Sequence, residues 1–209
     1  MSRTSPGRRR APRGDRDRRR EEILRIAMET FATRGYNKAS LAEISDRVGL
    51  TQAGVLHYFP SKVDLLTGVL DLRDATAEHG GADRPRGLAF LRHLVDTIRH
   101  NTGTAGIVRL YAVLSAESVT EGHPAQEYFR GRYDGLREMV AAALAEARED
   151  GEITLDLDPG TTAAAIVAVM DGLQVQWLLR PDAVDMAAAT AHTIGRLTGV
   201  EPFTGEGER

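Results

Sequence analysis

Apolar residues recur at three- and four-residue intervals along most of the chain, which is the spacing of one face of an α-helix. This spacing predicts a first helix from Asp17 to Arg34, closed by Gly35, and a second that begins at Ser40 and ends at Gly49. A short third helix follows over residues 51–59. Further helices are predicted from residue 61 to about 80, and over 85–102, 105–121, 125–149, 159–179 and 183–198.

Polar residues mark where the short helices begin. Ser40, with Glu43 three residues later, has the pattern of a capping box, and Thr51 and Ser61 are N-cap candidates for the next two helices. Pro60 ends the third helix. The residues predicted to face inward from the third, fourth and sixth helices include Val55, Leu56, Phe59, Val63, Leu66, Val69, Leu70 and Val119.

The stretch "GEITLDLDPG" alternates apolar and polar residues and so imitates a β-strand. It has no partner strand elsewhere in the sequence, so we predict an extended loop. Asp158 followed by Pro159 is a strong start signal for the next helix. The predicted fold class is therefore all-α, with about nine helices.

Charge is distributed unevenly along the 209 residues. Residues 1–62 contain 14 Arg and Lys against seven acids, whereas residues 63–209 contain 13 Arg against 23 acids. This distribution indicates a basic module, suited to a polyanion, on an acidic body. Residues 1–16 are rich in Arg, Pro and Gly, and we expect a disordered arm that is either a solvated tail or a contact to phosphates or a minor groove. Residues 201–209 are expected to form a flexible tail.

Several classes of function are disfavoured. The chain has no cysteine, which excludes disulfides and cysteine zinc sites, and its six histidines lack metal-binding spacing. Nucleophile-elbow, phosphate-loop and dinucleotide-binding motifs are absent, so we expect neither an enzyme nor a cofactor or metal. No apolar run approaches ~20 residues and no signal-peptide core is visible, which predicts a cytoplasmic protein without a membrane partner.

Two short helices joined by a tight turn with Gly, over about residues 40–59, are typical of a helix-turn-helix, whose second helix enters the DNA major groove. Thr51 and Gln52 lie in its first turn, and Gln can pair with adenine. Ala53 and Gly54 permit close approach to the bases. The alternative is that two short helices simply pack together. The predicted DNA-binding residues are Ser40, Thr51, Gln52, Ala53, Gly54, His57, Tyr58 and Lys62.

Within this set, four residues are predicted to hold the DNA backbone rather than to read bases. His57 and Tyr58 can donate to phosphates, and Lys62 lies at the next helix N-terminus, where backbone N–H groups also favour phosphate. Ser40 is placed similarly at the start of the second helix.

The stretch "FATRGYNKASLAEISDRVGLTQAGVLHYFPSKVDLL" resembles the N-terminal domain of TetR-type transcriptional regulators. Many members have Tyr where this chain has Leu56, which leaves His57, Tyr58 and Lys62 to contact phosphates. "YAVLSAESV", "GEITLDLDP" and "DGLQVQWLL" resemble the C-terminal domain of the BetI-like branch. The resemblance implies a three-helix DNA reader over residues 17–62 and a helical effector-binding and dimerisation body over residues 63–200.

The helix predicted at 159–179 is apolar on nearly all sides, which indicates burial, in part against a second subunit. Two helices from each subunit would then form a four-helix bundle, as the resemblance implies. An internal helix pair is the alternative. The predicted interface comprises Ala163, Val167, Met170, Gln174, Met186, Ala189, Ile194 and Leu197.

The resemblance also implies a ligand pocket within the body. Its predicted residues are Arg109, Tyr111, Glu117, Phe129, Tyr133 and Trp177. Arg109 and Glu117 interrupt apolar runs, and a charge buried in this way needs a partner or a ligand. For Glu117, both an ion pair with an arginine such as Arg137 and a cationic effector remain open.

These observations predict a homodimeric, ligand-responsive regulator of a palindromic double-stranded DNA operator. We expect a repressor whose small-molecule effector tilts the fourth helix and changes the separation of the two DNA-binding heads; activation is the alternative. A helical protein-interaction module without DNA binding is the rival function.

Overall fold

A computed structural model describes residues 13–76, 84–156 and 158–205. The described residues form nine α-helices and one short 3₁₀ turn, and they contain no β-strand, which confirms the all-α prediction. The helices are α1 (Arg13–Lys38), α2 (Leu41–Val48), α3 (Gln52–Leu56), α4 (Lys62–Thr76), α5 (Gly87–Asn101), α6 (Ala105–Ser118), α7 (Gln126–Glu149), α8 (Pro159–Leu179) and α9 (Met186–Thr198).

The predicted N-caps are present in the structure. The side chains of Ser40 and Thr51 each accept a hydrogen bond, at 3.1 Å, from the backbone N–H three residues later. Asp158 caps α8 in the same way at 2.7 Å. Because each cap satisfies an orphan N–H group, the sequence fixes these helix starts locally. The predicted extended loop before α8 is confirmed for its described residues.

The first helix begins earlier than predicted. α1 starts at Arg13 rather than Asp17, so residues 13–16 are helical and do not belong to a disordered arm. Asp15 in the first turn complements the helix dipole and lies 3.8 Å from Arg18, one turn further on. Residues 1–12 of the predicted arm lie outside the described residues.

Three apolar residues predicted to face inward are exposed instead. Leu56 is 36% exposed because Val55 and Phe59, four residues apart, occupy the inner side of its segment. Val63 is 45% exposed because Leu65, Leu66 and Val69 form the buried side of α4. Val119 is 81% exposed, since it lies just beyond the end of α6.

The packing does not separate at the predicted boundary after residue 62. One apolar core joins α1, α2 and α4 to Leu110 and Leu114 of α6 and to Phe129 of α7. A second core lies among α5, α7, α8 and α9. The DNA-binding head, which we define as α1 to α3, is therefore packed directly on α4, α6 and the start of α7.

The C-terminal segment is partly anchored. Phe203 is buried in the second core, and the Arg92 guanidinium lies 5.4 Å from the centre of its ring. The predicted flexible tail is therefore wrong for residues 201–205, because an aromatic side chain gains more from burial than from solvent exposure. Residues 206–209 lie outside the described part of the chain.

Helix α8 is an exception to the prediction that no apolar segment is long enough to span a membrane. By length and composition alone, this 21-residue helix could cross a bilayer. The core helix of a soluble protein can have the same length and composition. One side of α8 is indeed buried against α6, α7 and α9. The apolar residues on its outer side are not buried by the rest of this subunit.

Candidate DNA-binding and ligand-binding sites

The outer side of α3 is open to solvent. Thr51, Gln52 and Ala53 are exposed and Gly54 is half-buried, whereas Val55 and Phe59 hold the segment against the head core. Leu56 joins this outer side, which the sequence prediction missed. The resulting surface is small and neutral, with one amide able to read a base edge. The base-reading roles of these residues stay predictions.

The residues predicted to hold phosphates lie beside this surface. Ser40 and His57 are exposed, and the His57 ring packs edge-on to Tyr58 at 5.6 Å between centroids. The Lys62 ammonium lies 4.2 Å from the centre of the Tyr36 ring, so this side chain packs on the head rather than extending freely into solvent. Partial burial lowers the pKa of Lys62, and the nearby Glu117 carboxylate opposes that effect.

Glu117 joins the head to the body. Its Oε2 accepts a hydrogen bond of 2.6 Å from the backbone N–H of Tyr36, 81 positions earlier in the chain. The carboxylate also lies 3.8 Å from Nε2 of buried His123, and Lys62 acts on the same group of charges. The contact needs Gly35, because a Cβ at that position would lie 2.2 Å from Oε1 of Glu117.

The prediction that Glu117 pairs with an arginine such as Arg137 is wrong. Arg137 instead bonds Asp134, one turn earlier on the same helix. Glu117 carries a structural contact that no local sequence pattern encodes, since its partners come from α1 and from the segment before α7. His123 Nδ1 accepts the Ala125 N–H, which places the proton of the neutral ring on Nε2, facing Glu117. Burial lowers the pKa of His123, a shift that Glu117 opposes and Lys62 reinforces.

We expect Glu117→Ala to destabilise the protein by about 1–3 kcal/mol, because it leaves the Tyr36 N–H without its acceptor. Glu117→Gln keeps an acceptor oxygen and should lose no more than about 1 kcal/mol. Urea unfolding of both variants measures the difference. An equal loss in the two variants would assign the contact to charge rather than to the hydrogen bond.

A cavity lies between α5, α6, α7 and α8. Tyr111, Phe129 and Tyr133 line it, as predicted for ligand-binding residues, and Arg132 and Asp171 line it as well. The predicted set of ligand-binding residues does not include these two charged residues. The carboxylate comes from α8 and the rings from α6 and α7, so only the tertiary fold brings them together.

Asp171 and Tyr133 are coupled inside this cavity. The Asp171 carboxylate and the Ser115 hydroxyl both lie close enough to the Tyr133 hydroxyl to shift its pKa, in opposite directions. Burial, together with this carboxylate, raises the pKa of Tyr133 to about 12. Burial also raises the pKa of Asp171, while the Tyr133 hydroxyl and the Arg132 charge oppose that rise.

Three predicted ligand residues do not line the cavity. Arg109 points to solvent, because Val108 and Leu110 occupy the inner sides of α6 around it. Glu117 lies at the contact with Tyr36, and Trp177 is buried in the second core. Charge within an apolar run was therefore an unreliable guide to the cavity.

Two family models cover most of this framework. Residues 23–69 match the model described as "Bacterial regulatory proteins, tetR family", and residues 88–198 match "BetI-type transcriptional repressor, C-terminal". The chain belongs to the TetR family of transcriptional regulators. It is thus a DNA-binding regulator, and its helix-turn-helix comprises α2 and α3.

Relatives in this family have similar length and architecture. HTH-type transcriptional regulator TtgR of Pseudomonas putida is 26% identical over 175 residues, which are 80% of this chain and 83% of TtgR. NalD, the secondary repressor of the MexAB-OprM multidrug efflux pump in Pseudomonas aeruginosa, has a TM-score of 0.68 at 20% identity, over 90% of this chain and 98% of NalD. A regulator from Saccharomonospora viridis, solved with choline, has a TM-score of 0.66 at 22% identity, over 85% of this chain and 94% of that one.

The predicted dimer interface of this TetR-family chain is corrected by burial. Five of its residues face the interior of their own subunit and cannot contact another: Ala163, Val167, Met170, Met186 and Ile194. Gln174 lines the cavity. Apolar composition alone could not decide which side of α8 faces inward, because nearly every side of this helix is apolar. Ala189 and Leu197 on α9 retain partial exposure.

Proposed function

We propose that the chain is a ligand-responsive homodimeric repressor that binds a palindromic operator through α3. The observation that carries this function is the open outer side of α3, whose inner side is fixed to the head by Val55 and Phe59. A short helix held in this way can enter a major groove without rearrangement. The similarity of residues 88–198 to a repressor C-terminal domain favours repression over activation.

Charge supports the same assignment. The basic excess is confined to residues 1–62, and the exposed Arg16, Arg18 and Arg20 lie on the first turns of α1. These guanidinium groups suit the phosphates that flank a recognition helix. The acidic remainder of the chain would be held away from the duplex. DNA binding also implies a cytoplasmic location for the working protein.

Operator capture tests the function directly. Genomic fragments retained by the purified protein should contain an inverted repeat with half-sites about 34–36 Å apart, one helical turn. Affinity for the selected fragment should fall steeply as salt rises, since phosphate contacts release counterions. A protein-interaction module without DNA function would retain no fragment at any salt concentration.

Gln52→Ala should change base preference at one position of each half-site, at a cost of about 1–3 kcal/mol for the preferred base. Lys62→Ala should weaken binding to all sequences alike and reduce the slope of affinity against salt by about one. Fluorescence anisotropy with the operator and single-base variants distinguishes these results. Uniform loss in both variants would contradict the division between base reading and backbone contact.

The dimer surface that best fits the structure is the outer side of α8. Val175 and Leu179 are 49% and 74% exposed there, and small residues on the same side permit a close helix approach. The small residues of this surface are Ala164, Ala165, Ala168 and Gly172. Exposed apolar residues gain about 25 cal/mol per Å² when a partner covers them. A second subunit would bury this surface. A palindromic operator also requires a second subunit, because its two half-sites are related by twofold symmetry.

The route from ligand to DNA follows contacts already described. The cavity is lined by Tyr111 and Ser115 of α6, and Glu117 on the same helix holds the backbone at Tyr36 in the head. A ligand that shifts α6, or α4 packed in the same core, would therefore move the DNA-binding head relative to the head of the second subunit. A coupling of about 1–3 kcal/mol between ligand and operator is sufficient for regulation.

A further inference from the structure

The cavity contains an acceptor that its surroundings satisfy only in part. A carboxylate has about four acceptor positions, and the Asp171 carboxylate, which lines the cavity, has the Tyr133 hydroxyl and the Arg132 guanidinium as its polar neighbours. Within the described residues no cationic side chain forms an ion pair with it, and Arg132 acts on it only through space. A partly buried carboxylate with open acceptor positions favours a ligand that brings N–H donors and a positive charge.

The walls around this carboxylate suit the rest of such a ligand. The rings of Tyr111 and Phe129 pack edge-to-face at 5.7 Å, and the rings of Phe129 and Tyr133 lie 6.5 Å apart. Leu94 and Ile98 add aliphatic surface on the α5 side. Aromatic faces attract cations, and the aliphatic groups accept an apolar substituent.

We propose that the cavity binds a small organic amine as its ammonium ion, with the N–H groups on the Asp171 carboxylate and the apolar part against Phe129 and Tyr111. This assignment rests on the proposed effector-binding function and names the chemical class of the effector. It requires N–H groups and not charge alone, because the open positions on Asp171 are hydrogen-bond acceptors.

Arg132 is the feature that an anionic ligand would need. Its guanidinium carbon lies 4.4 Å from the centre of the Tyr111 ring, so the group is already held on an aromatic face. That arrangement shows that a planar cation is accommodated on this wall of the cavity. The Asp171 carboxylate therefore faces the cavity without an ion-pair partner among the described residues, while the Arg132 guanidinium is stacked on the Tyr111 ring.

Isothermal titration calorimetry with four matched probes tests the proposal: benzylamine, benzyltrimethylammonium, benzyl alcohol and benzoate, all near neutral pH. Benzylamine should bind most tightly. Asp171→Asn should weaken its binding about 10- to 100-fold, the effect of losing a charge-assisted hydrogen bond. Asp182→Asn, an exposed change of the same kind outside the cavity, should leave binding unaltered. A thermal melt of each variant establishes that it folds.

Stronger binding of benzoate or benzyl alcohol would overturn the proposal, and equal binding of benzyltrimethylammonium would overturn the need for N–H donors. The probe series on the unaltered protein gives this answer even if Asp171→Asn does not fold. Operator binding is measured separately. A chain that retains operator DNA but binds no amine refutes the ligand class alone, whereas a chain that binds benzylamine but no DNA refutes the proposed repressor.

Discussion

Gly35→Ala is expected to destabilise the protein by about 3 kcal/mol. The backbone at this position has φ 73° and ψ 167°, a conformation that is essentially restricted to glycine and costs about 1–3 kcal/mol for other residues. The new methyl group would also lie 2.2 Å from Oε1 of Glu117. The carboxylate must move to relieve this overlap, and its hydrogen bond to the Tyr36 N–H is then lost or lengthened.

Chemical denaturation with urea measures this loss, and Gly106→Ala on α6 is the matched control. A Cβ at Gly106 meets no atom within 4 Å, so the control should be neutral or gain up to about 1 kcal/mol from helix propensity. In the double variant Gly35→Ala with Glu117→Ala, the steric part should disappear and the backbone part should remain. Additive losses would show that the glycine and the carboxylate do not interact.

Ala168→Glu is expected to raise the dissociation constant of the homodimer about 100-fold. Ala168 lies in the middle of the exposed small-residue side of α8, where a second subunit would desolvate an unpaired carboxylate. Operator affinity should fall with it, because a single head binds one half-site and loses the gain from simultaneous attachment. Analytical ultracentrifugation gives the oligomeric state, and anisotropy gives the operator affinity.

Ala142→Glu provides the control for Ala168→Glu. Ala142 is exposed on α7, so the substitution introduces the same charge on a helix outside the proposed interface. It should leave both the dimer and operator affinity unchanged. A dimer that survives Ala168→Glu would move the interface away from the outer side of α8, and a chain that is monomeric without any substitution would remove the dimer altogether.

The contrast between Leu56 and Val55 shows where sequence patterns stop being informative. Both are apolar neighbours in a five-residue helix, and one turn is too short for periodicity to choose between them. Val55 is buried and Leu56 is exposed because the head core offers room on only one side. The same ambiguity, on a larger scale, explains why the predicted dimer interface includes residues of α8 that are buried within their own subunit.

For charged residues too, the neighbours along the sequence do not show which residues surround the charge in the folded protein. Glu117 interrupts an apolar run and does have structural partners, but these are Tyr36 and His123 rather than the predicted arginine. Arg109 also interrupts an apolar run, yet it is exposed to solvent. Asp171 is not among the predicted ligand-binding residues, yet it lies in the cavity beside Tyr133. The sequence shows that a charged residue has apolar neighbours along the chain, but it does not show which residues lie around it in the folded structure.

The sequence by itself determined the features that depend on residues a few positions apart. These are the all-α class, the caps at Ser40, Thr51 and Asp158, the turn between α2 and α3, and family membership through motifs of contiguous residues. Tertiary structure alone decided the contact of Glu117 with Tyr36, the position of Asp171 beside Tyr133 in the cavity, and the side of α8 left open. The physical reason is range: caps and turns are satisfied within one helical turn, whereas these contacts depend on how separate helices pack.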